Sequence, residues 1–343
     1  MLKQFGANPG GERQARIESC NNYENGAFQN VLPTQVSPEN SSFLKMLWKF
    51  MNKPANVRPQ HNLPSVSTNL KELPQQAFVW FGHSSYLLKL HGKTILIDPV
   101  FSGNAAPVSF FGKAFPGADV YKAEDMPKID LLLLTHDHYD HLDYLTVSKL
   151  KPKVSKIVTS LGVGSHLQKW GFSETIITEL NWWDSAEFWN ALKITAAPAR
   201  HFSGRSFSRF KTLWSSFILQ FEEFQVYLGG DSGYSNSFQD IGKRFGPFDL
   251  AVMECGQYNE NWPEIHMFPE QSVQAALDLQ AKMAIPVHHS KFALAMHPWN
   301  EPLQRFHRAA SEKELYVVSP MIGEVYNFSE DYQQKEWWIA AER

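Results

Sequence analysis

The sequence predicts a layered α/β domain with two mixed sheets. The first observation is that strand patterns open the regular part of the chain as closely spaced, hairpin-like pairs. The second is that helical patterns are then interleaved with strands, and the third is that this succession recurs farther along the chain. With 343 residues, of which 43% are hydrophobic and 20% charged, the chain is globular in composition and can bury a core without disulfides.

Residues 1–75 form a predicted N-terminal arm, and residues 76–343 form the domain. The arm is rich in Asn, Pro, Gln and Ser and shows little periodicity, which is typical of extended chain. Within it, Lys45, Lys49 and Lys53 recur every four residues among apolar residues, which predicts a short amphipathic helix. Such a helix either docks on the domain with its lysines in water or lies on a membrane surface, and the sequence leaves both open.

The elements of the domain follow in order from residue 78. Two hairpins are predicted, one across the His-Gly-Lys turn at 91–93 and one across the two glutamates at 222–223. The predicted strands are 78–81, 85–90, 94–97, 129–134, 157–159, 194–197, 215–221, 225–228, 250–253, 284–287 and 315–318. The predicted helices include 142–150, 164–169, 269–282 and 301–310.

Charge and cysteine content exclude several classes of protein. The chain has 32 basic and 35 acidic residues, a net charge of −3, so no global basic field suggests a nucleic-acid partner. Its two cysteines, Cys20 and Cys255, exclude a disulfide scaffold and are expected to be free thiols. No apolar run approaches the roughly 18 residues of a membrane span, and the start is no signal peptide. We therefore expect a cytoplasmic or peripheral membrane protein, with a trimmed leader left open.

The strongest chemical signal is the hexapeptide His-Asp-His-Tyr-Asp-His at 136–141, which directly follows a buried strand pattern. Three imidazoles and two carboxylates would be costly to pack there as ordinary core. Alternate residues of a tight loop can turn the same way, so His136 and His138 can chelate one ion. Asp140 and His141 then suit a second ion nearby. These side chains are ligands of zinc and of its neighbours in hardness, so the string predicts a metal site rather than a solvated loop.

Further ligands are predicted at the ends of three later strands. His201 follows the strand 194–197 after a short turn, and His288 directly follows 284–287. Asp231 follows two glycines that allow close approach to an ion, and its carboxylate is the natural bridge between two cations about 3.5–4 Å apart. A ligand at the tip of each strand, all on one sheet edge, predicts a cup that holds two metals.

This string and the order of the later ligands resemble the metallo-β-lactamase superfamily of hydrolases, over about residues 78–324. The resemblance implies a four-layer αββα sandwich, in which two mixed sheets lie face to face with helices outside and metals at one edge. It also implies two Zn²⁺ ions, although other divalent first-row metals can occupy such sites. One zinc would be held by His136, His138 and His201 and the other by Asp140, His141 and His288, with Asp231 bridging them.

Several further runs resemble one branch, the N-acyl-phosphatidylethanolamine-hydrolysing phospholipase D family. They are Trp-Phe-Gly-His-Ser at 80–84, Asp-Pro-Val-Phe-Ser at 98–102, Asp-His-Tyr-Asp-His-Leu-Asp-Tyr at 137–144, Glu-Leu-Asn-Trp-Trp at 179–183, Gly-Asp-Ser-Gly-Tyr at 230–234, Ile-Gly-Lys-Arg-Phe-Gly-Pro-Phe-Asp-Leu at 241–250 and Phe-Ala-Leu-Ala at 292–295. The chain departs from the branch in three places. Met-Glu-Cys-Gly at 253–256 replaces Ile-Pro-Ile-Gly, His-His-Ser at 288–290 replaces His-Trp-Gly, and Phe268 stands where the family often has a helix-capping Asp.

The resemblance implies a dinuclear zinc hydrolase of phosphoric diesters, phospholipase D-like, that acts in lipid metabolism. The zinc ions would lower the pKa of a bridging water to about 7, and the resulting hydroxide would attack phosphorus in line. Asp140, Asp231 and His266 are the expected catalytic residues. The alternative is hydrolysis of an ester, lactone or amide of a soluble substrate, because the same ligand cup attacks carbonyls. A metal-binding protein without turnover is disfavoured, since non-catalytic sites tend to be closed.

Five residues near the ligands have individual interpretations. Tyr139 lies inside the metal loop without a ligating role and is predicted to face a phosphate or acyl group of the substrate. His266 resembles a histidine of the family that lies behind the ligands, near enough to touch substrate, and His289 is a second candidate for substrate contact. Strand alternation lets only one of His288 and His289 reach the metal, and alignment to the family selects His288. Asp98 either bonds a ligating histidine or caps a turn.

The expected partners are a phospholipid or other phosphodiester substrate and a membrane surface. Residues 105–115 and 207–214 mix aromatic and basic side chains, as do segments at membrane interfaces. Their alternative is buried core packing, because only exposed apolar rims mark such contacts. No nucleic-acid partner is expected, and the sequence leaves open whether the chain forms a homodimer.

Overall fold

A computed structural model describes residues 3–37, 53–108, 111–205 and 208–341. Two seven-stranded sheets lie face to face across a shared apolar core, and helices cover the outer face of each sheet. Each sheet contains both antiparallel and parallel neighbours. This αββα arrangement of two mixed sheets confirms the predicted fold class.

The strands are numbered in chain order. The first nine are β1 (Tyr23–Glu24), β2 (Ala27–Phe28), β3 (Ala77–Trp80), β4 (Tyr86–Leu90), β5 (Lys93–Ile97), β6 (Ile129–Leu134), β7 (Val154–Ser160), β8 (Ile177–Leu180) and β9 (Ser185–Phe188). The other nine are β10 (Leu192–Pro198), β11 (Gly204–Arg205), β12 (Ser208–Arg209), β13 (Ser215–Gln220), β14 (Gln225–Leu228), β15 (Leu250–Glu254), β16 (Met283–Val287), β17 (Tyr316–Val317) and β18 (Val325–Asn327). All eleven predicted strands have a counterpart among them.

The two sheets share one plan. The first has the order β18-β3-β4-β5-β6-β7-β8, and the second has the order β17-β16-β15-β14-β13-β10-β9. In the first sheet the pairs from β18 to β5 are antiparallel and those from β5 to β8 are parallel. In the second, the pairs from β9 to β14 are antiparallel and those from β14 to β17 are parallel. This common plan explains why hairpins precede interleaved helices twice along the sequence.

The helices lie mainly in the parallel halves. They are α1 (Gly11–Glu18), α2 (Tyr144–Leu150), α3 (Gly164–Lys169), α4 (Ser237–Phe245), α5 (Pro269–Asp278), α6 (Glu301–Glu312) and α7 (Trp337–Ala340). Short 3-10 turns occur at Lys3–Phe5, Ala55–Val57, Ala123–Asp125, Lys151–Lys153 and Glu174–Ile176. Helices α2 and α3 pack on the first sheet, and α4 to α6 pack on the second. Asp143 caps α2 by accepting a hydrogen bond from Leu145 N.

The strand that precedes the metal loop is buried on both faces. Along β6, Leu131 and Leu133 point into the core between the sheets, whereas Leu132 and Leu134 point toward the helices. Each fully buried leucine contributes on the order of 1.5–3 kcal/mol, and a slip of one residue would exchange the two faces. The burial of β6 therefore fixes where the next residues, beginning with Thr135 and His136, leave the sheet.

The arm is packed on the domain over residues 3–37. It contains α1 and the β1–β2 hairpin, and both were missed by the sequence analysis. Ile17 and Phe28 are buried in a cluster with Trp182 and Trp214 of the domain. The expectation of extended chain therefore does not hold for these residues. A polar helix of eight residues has little intrinsic stability, so packing rather than local propensity holds it.

Part of the predicted lysine helix can be located. Lys45 and Lys49 lie outside the described residues. Lys53 is partly buried, and its Nζ donates to the carbonyl of Ala293. Burial, together with the charge of Arg58, lowers the pKa of Lys53 to about 8. Lys53 is therefore attached to the domain and does not continue a water-facing stripe.

The two aromatic and basic stretches differ in exposure. In 105–115, Phe111 is half exposed, whereas Phe115 is buried. In 207–214, Leu213 and Trp214 are core residues, so the expectation of a lipid-facing rim is wrong for their side chains. None of the helices in the described ranges is long and apolar enough to cross a membrane.

Candidate metal centre

The candidate ligands converge at one edge of the sandwich. Strands β6, β10, β14 and β16 end at this edge, and His136, His201, Asp231 and His288 follow these strands within three residues. Gly230 has φ of +59°, and a Cβ there would lie 3.1 Å from both the Ser215 carbonyl oxygen and Thr135 Cβ. A side chain at this position would be strained and crowded, so the glycine lets Asp231 enter the centre.

The first cluster contains His136, His138, His201 and Asp231, whose donor atoms lie within 4.8 Å of one another. His138 Nδ1 is 2.9 Å from His136 Nε2 and 3.2 Å from His201 Nε2. Asp231 Oδ2 lies 3.8 Å from His136 Nε2 and 3.6 Å from His201 Nε2. Three imidazole nitrogens and a carboxylate oxygen around one point form the donor set of a zinc-like ion.

The second cluster contains Asp140, His141 and His288, together with His83. Asp231 reaches this cluster too: its Oδ2 is 3.1 Å from His141 Nε2, and its Oδ1 is 3.2 Å from His288 Nδ1. The His83 ring packs against that of His288 with a centroid separation of 4.1 Å, and its Nε2 lies 2.9 Å from Asp140 Oδ2. Asp231 therefore approaches both clusters, as a bridging carboxylate does.

Hydrogen bonds leave one nitrogen of several histidines available for a metal. His201 Nδ1 donates to the Ile265 carbonyl (2.9 Å), and His141 Nδ1 donates to Asp98 Oδ2 (2.8 Å). The opposite nitrogens, Nε2, then carry the lone pairs that face the clusters. His141 Nε2, His288 Nε2 and Asp231 Oδ1 are buried and have no hydrogen-bond partner among the described residues. Buried acceptors without partners are costly in a native protein, so the donor set fits bound metal ions.

The charge states of three of the histidines and of Asp231 suit ligation as well. Burial and neighbouring histidines lower the pKa of His136 and of His288 well below the usual value, and burial does the same to the pKa of His201. These imidazoles are neutral near pH 7, which is the form that binds metal. Burial alone would raise the pKa of Asp231, but His141 beside it holds that pKa below its usual range. Asp231 is therefore an ionised carboxylate.

Asp98 supports ligands of both clusters. Its Oδ2 accepts from His141 Nδ1 and from Thr135 Oγ1 (2.6 Å), and its Oδ1 accepts from Thr135 N (2.9 Å). Because Thr135 Oγ1 donates to Asp98, it accepts from His136 Nδ1 (3.0 Å). Of the two interpretations left open by the sequence, the partner of a ligating histidine is the one observed.

His266 lies against the ligands and is paired with an acid. Its ring centroid is 5.0 Å from that of His201 and 5.1 Å from that of His288, and its Nδ1 is 3.1 Å from Glu254 Oε2. Burial raises the pKa of Glu254 to about 7. Burial opposes protonation of His266, but Glu254 outweighs it and raises the pKa of His266. The Met-Glu-Cys-Gly departure thus places an acid directly behind the predicted catalytic histidine.

The two other predicted substrate contacts have different surroundings. The Tyr139 ring is covered by the guanidinium of Arg205, which lies 4.1 Å from the ring centroid. His289 turns away from the clusters: its ring packs on Trp80 at 4.6 Å, and its Nδ1 and Nε2 lie near Ser290 Oγ and the Pro286 carbonyl. The expectation that His289 contacts substrate is therefore not met, because neighbouring residues at a strand end point to opposite sides.

One side of the centre is open. His138, Tyr139 and Asp140 are partly exposed, whereas His136, His141 and the other predicted ligands are buried. An open position beside the protein ligands is what distinguishes a catalytic metal site from a structural one.

Comparison with known proteins agrees with this geometry. A family model described as the β-lactamase superfamily domain matches residues 93–289, more than half of the chain. The chain belongs to the β-lactamase superfamily. This membership and the two His/Asp clusters establish a metal-dependent hydrolase. The match begins within β5 and ends just beyond β16, so it includes all seven predicted ligands.

Relatives within the superfamily cover most of the chain. An uncharacterized protein of Mycobacterium tuberculosis is 37% identical over 95% of this chain and 89% of its own length. The N-acyl-phosphatidylethanolamine-hydrolyzing phospholipase D 1 of Caenorhabditis elegans is 29% identical over 73% of this chain and 75% of its own length. Among solved structures, an isothiocyanate hydrolase from gut bacteria of Delia radicum superposes with a TM-score of 0.58 at 20% identity, covering 74% of this chain and 99% of that one.

Sequence reasoning missed the role of Asp137 in the superfamily's metal loop. Its side chain turns away from the clusters and accepts hydrogen bonds from Gly204 N (2.7 Å) and Thr212 Oγ1 (2.9 Å). It also lies 3.2 Å from His166 Nε2. The alternation that brings His136 and His138 together also directs the residue between them outward. That alternation was the available signal, and it predicts a residue that holds the loop in place.

Proposed function

We propose that the protein is a dinuclear zinc hydrolase that cleaves a phosphodiester, with a phospholipid of the N-acyl-phosphatidylethanolamine type as substrate. The observation that carries the proposal is the approach of the Asp231 carboxylate to both clusters, because it makes one centre of two ligand sets. Two-metal sites of this kind suit in-line displacement, in which both the attacking and the leaving oxygen need stabilisation.

The choice of phosphodiester rests on similarity. The Caenorhabditis elegans relative named as a phospholipase D shares 29% identity over 269 residues. The runs at 80–84 and 230–234, typical of that family, contain His83 and Asp231 of the two clusters, and the run 241–250 connects α4 to β15. The zinc identity is proposed from the donors, since imidazole nitrogen and carboxylate oxygen are common zinc ligands.

The roles of the chain follow from the geometry. His136, His138 and His201 would hold one ion, Asp140, His141 and His288 the other, and Asp231 both. Bound ions supply a water of lowered pKa and positive charge for the phosphate oxygens. Glu254 fixes Nδ1 of His266, which leaves Nε2 of that ring to bind a substrate oxygen. The half-exposed Phe111 marks the side at which we propose that a lipid surface is met.

The test combines metal analysis with product identification. Unstripped protein should carry about two zinc-like ions per chain, and vesicles containing N-acyl-phosphatidylethanolamine should yield phosphatidic acid and N-acylethanolamine by mass spectrometry. The His138→Ala variant serves as the control that lacks a ligand. One ion or none in well-folded protein would end the dinuclear proposal. Turnover of a chromogenic carboxyl ester without any turnover of phospholipid or of a soluble chromogenic phosphodiester would replace phosphodiester with ester hydrolysis.

A separate test addresses the membrane surface. Co-sedimentation with anionic vesicles should occur at low salt and weaken as salt is added, because basic residues contribute about 1 kcal/mol each near an anionic bilayer. Lys45→Glu with Lys49→Glu should reduce retention, while Lys53 is left unchanged because it is attached to the domain. If anionic vesicles never retain the protein at low salt, a soluble phosphodiester becomes the better substrate proposal.

A further inference from the structure

Residues 3–35, called the N-terminal strap from this point, run along the outside of the metal edge. Near its beginning, Ala7 N donates to His166 Nδ1 (3.1 Å), and the other nitrogen of that ring lies beside the metal loop. In its middle, Ile17 and Phe28 are buried in an apolar cluster of the domain. Farther along, Arg200 Nη2 donates to the Pro33 carbonyl (2.9 Å), so the strap is attached to the domain on both sides of Asn30.

Asn30 of the strap bonds both backbone polar groups of His201. Its Oδ1 accepts from His201 N (3.1 Å), and its Nδ2 donates to the His201 carbonyl (2.8 Å). Trp214 Nε1 also donates to Asn30 Oδ1 (3.1 Å), which fixes the orientation of the carboxamide. His201 lies three residues beyond the end of β10. The carboxamide thus supplies the paired donor and acceptor that a neighbouring strand supplies inside a sheet.

The same histidine is fixed at its ring. His201 Nδ1 donates to the Ile265 carbonyl (2.9 Å), and Nε2 lies 3.2 Å from His138 Nδ1 and 3.6 Å from Asp231 Oδ2. The bond to Ile265 fixes the orientation of the ring, and the bonds to Asn30 fix the position of the backbone. Together they determine where the ligating nitrogen of His201 lies.

We propose that Asn30 is a positioning residue of the metal centre, and that it holds His201 in ligating geometry from outside the sandwich. The inference rests on the proposed function, because it takes His201 as a ligand. Without the carboxamide, the backbone at His201 loses two bonds and its loop can move relative to β6. Partners that orient metal ligands typically contribute roughly 10–100-fold to metal affinity.

The experiment compares two asparagines of the same strap. Asn22 Nδ2 donates to Asn181 Oδ1 (3.0 Å), and Asn22 belongs to neither metal cluster, so Asn22→Ala is the matched control. Zn²⁺ affinity is measured by competition with a chromogenic chelator for the unmodified chain, Asn30→Ala, Asn30→Asp and Asn22→Ala. We expect Asn30→Ala to weaken binding of one ion roughly 10–100-fold, and Asn22→Ala to change it by less than about twofold.

Asn30→Asp tests the two bonds separately. It keeps the acceptor for His201 N but sets a carboxylate oxygen against the His201 carbonyl, so we expect it to weaken binding of one ion by about tenfold or more. Cobalt substitution gives a readout that a general loss of stability would not move. The visible absorption of Co²⁺ should change in both Asn30 variants, which report altered ligand geometry, and should be unchanged in Asn22→Ala.

The outcomes separate this inference from the proposed function. If both Asn30 variants bind two ions as tightly as the unmodified chain while His201→Ala loses one, the positioning role is overturned and the ligand assignment stands. If His201→Ala itself retains both ions, the proposed ligand set is wrong. Circular dichroism of chelator-treated protein checks the fold, and if Asn30→Ala does not fold, Asn30→Asp carries the comparison alone.

Discussion

His201 and His288 occupy equivalent places in the second sheet but are supported from different parts of the molecule. Each follows a strand end at the metal edge, His201 after β10 and His288 after β16. The backbone of His201 is bonded by Asn30 of the strap. The backbone of His288 is bonded by the first sheet, through donation from His288 N to the His83 carbonyl (3.0 Å), and its Nδ1 lies 2.8 Å from Ser84 Oγ.

This difference indicates which ligand can move without disturbing the core of the protein. The turn that holds His288 connects β3 to β4, and His83 and Ser84 are buried in it. That support cannot move without disturbing the core of the first sheet. Asn30, in contrast, is partly exposed and lies on a segment far from His201 in sequence. We therefore expect changes at the His201 side to alter metal affinity with little effect on folding, and changes at the His288 side to alter both.

The largest effect is expected where the two sides meet. Asp231→Ala removes the carboxylate that approaches both clusters, so both ions should be lost. Without several kcal/mol of metal stabilisation, the rate should fall about a thousandfold or more. Metal analysis and turnover of a soluble phosphodiester measure this, and circular dichroism should show a retained fold. Retention of one tightly bound ion would show that the two sides are independent sites.

The next effect distinguishes neighbours on the His288 side. His288→Ala should remove one ion and reduce activity by orders of magnitude, because its imidazole belongs to the second cluster. His289→Ala should keep both ions, because that ring packs on Trp80. The cavity should instead lower the free energy of unfolding by about 2–4 kcal/mol, measured in urea. If His289→Ala lost an ion and His288→Ala lost only stability, the register at the end of β16 would be shifted by one residue.

A smaller effect is expected for Asp98, which supports the ligands from within the core rather than from the strap. Asp98→Asn keeps the shape but removes the charge that accepts from His141 Nδ1 and Thr135 Oγ1. Metal affinity should fall roughly 10–100-fold, as for the strap asparagine, but the thermal unfolding midpoint of the metal-free protein should fall as well. Asp143→Asn, which alters a buried cap of α2 outside the clusters, is the matched control for stability without metal loss. Equal stability of Asp98→Asn and the unmodified chain would remove the distinction between the two supports.

The sequence predicted that the candidate ligands come together, because each lies a few residues beyond a strand pattern. Chain order alone brings residues after β6, β10, β14 and β16 to one edge once the sheets are correct. The orientation of His289 and the outward turn of Asp137 depend on alternation within two or three residues, which was within reach of the sequence. The role of Asn30 could not be predicted from the sequence, because its partner His201 lies 171 residues away. An asparagine in a polar arm gives no local sign of the backbone that it bonds.

Helix α1 was missed for a related reason. Its sequence is polar, and its buried apolar residue is Ile17. The helix is held by contacts with distant parts of the domain, including Arg13 Nε with Glu179 Oε2 (2.5 Å). Periodicity predicts helices that carry a continuous apolar face, and this one is attached by a single apolar side chain and by polar contacts.

The last prediction uses pH to examine the His288 side without metal. Burial lowers the pKa of His289 to about 3, whereas an unfolded histidine has a pKa of about 6.5. Below pH 6.5 the unfolded chain binds a proton that the folded ring does not, so acid favours unfolding. The contribution of His289 to stability is therefore complete above pH 6.5 and is lost progressively as the pH falls toward 3. Between pH 7 and pH 5 the loss should be about 2 kcal/mol.

His289→Gln isolates this contribution, because it retains polar atoms but does not titrate. Urea unfolding of chelator-treated protein at pH 7, 6 and 5 should show a smaller loss of stability for the variant, equivalent to about one proton fewer taken up on unfolding. The ligating histidines titrate in both proteins and cancel in the difference. Asn30→Ala should leave the dependence of stability on pH unchanged, because the Asn30 carboxamide and the His201 backbone groups that it bonds do not titrate. Identical dependence of stability on pH for His289→Gln and the unmodified chain would mean that His289 is accessible to protons in the folded state, and would contradict its burial against Trp80.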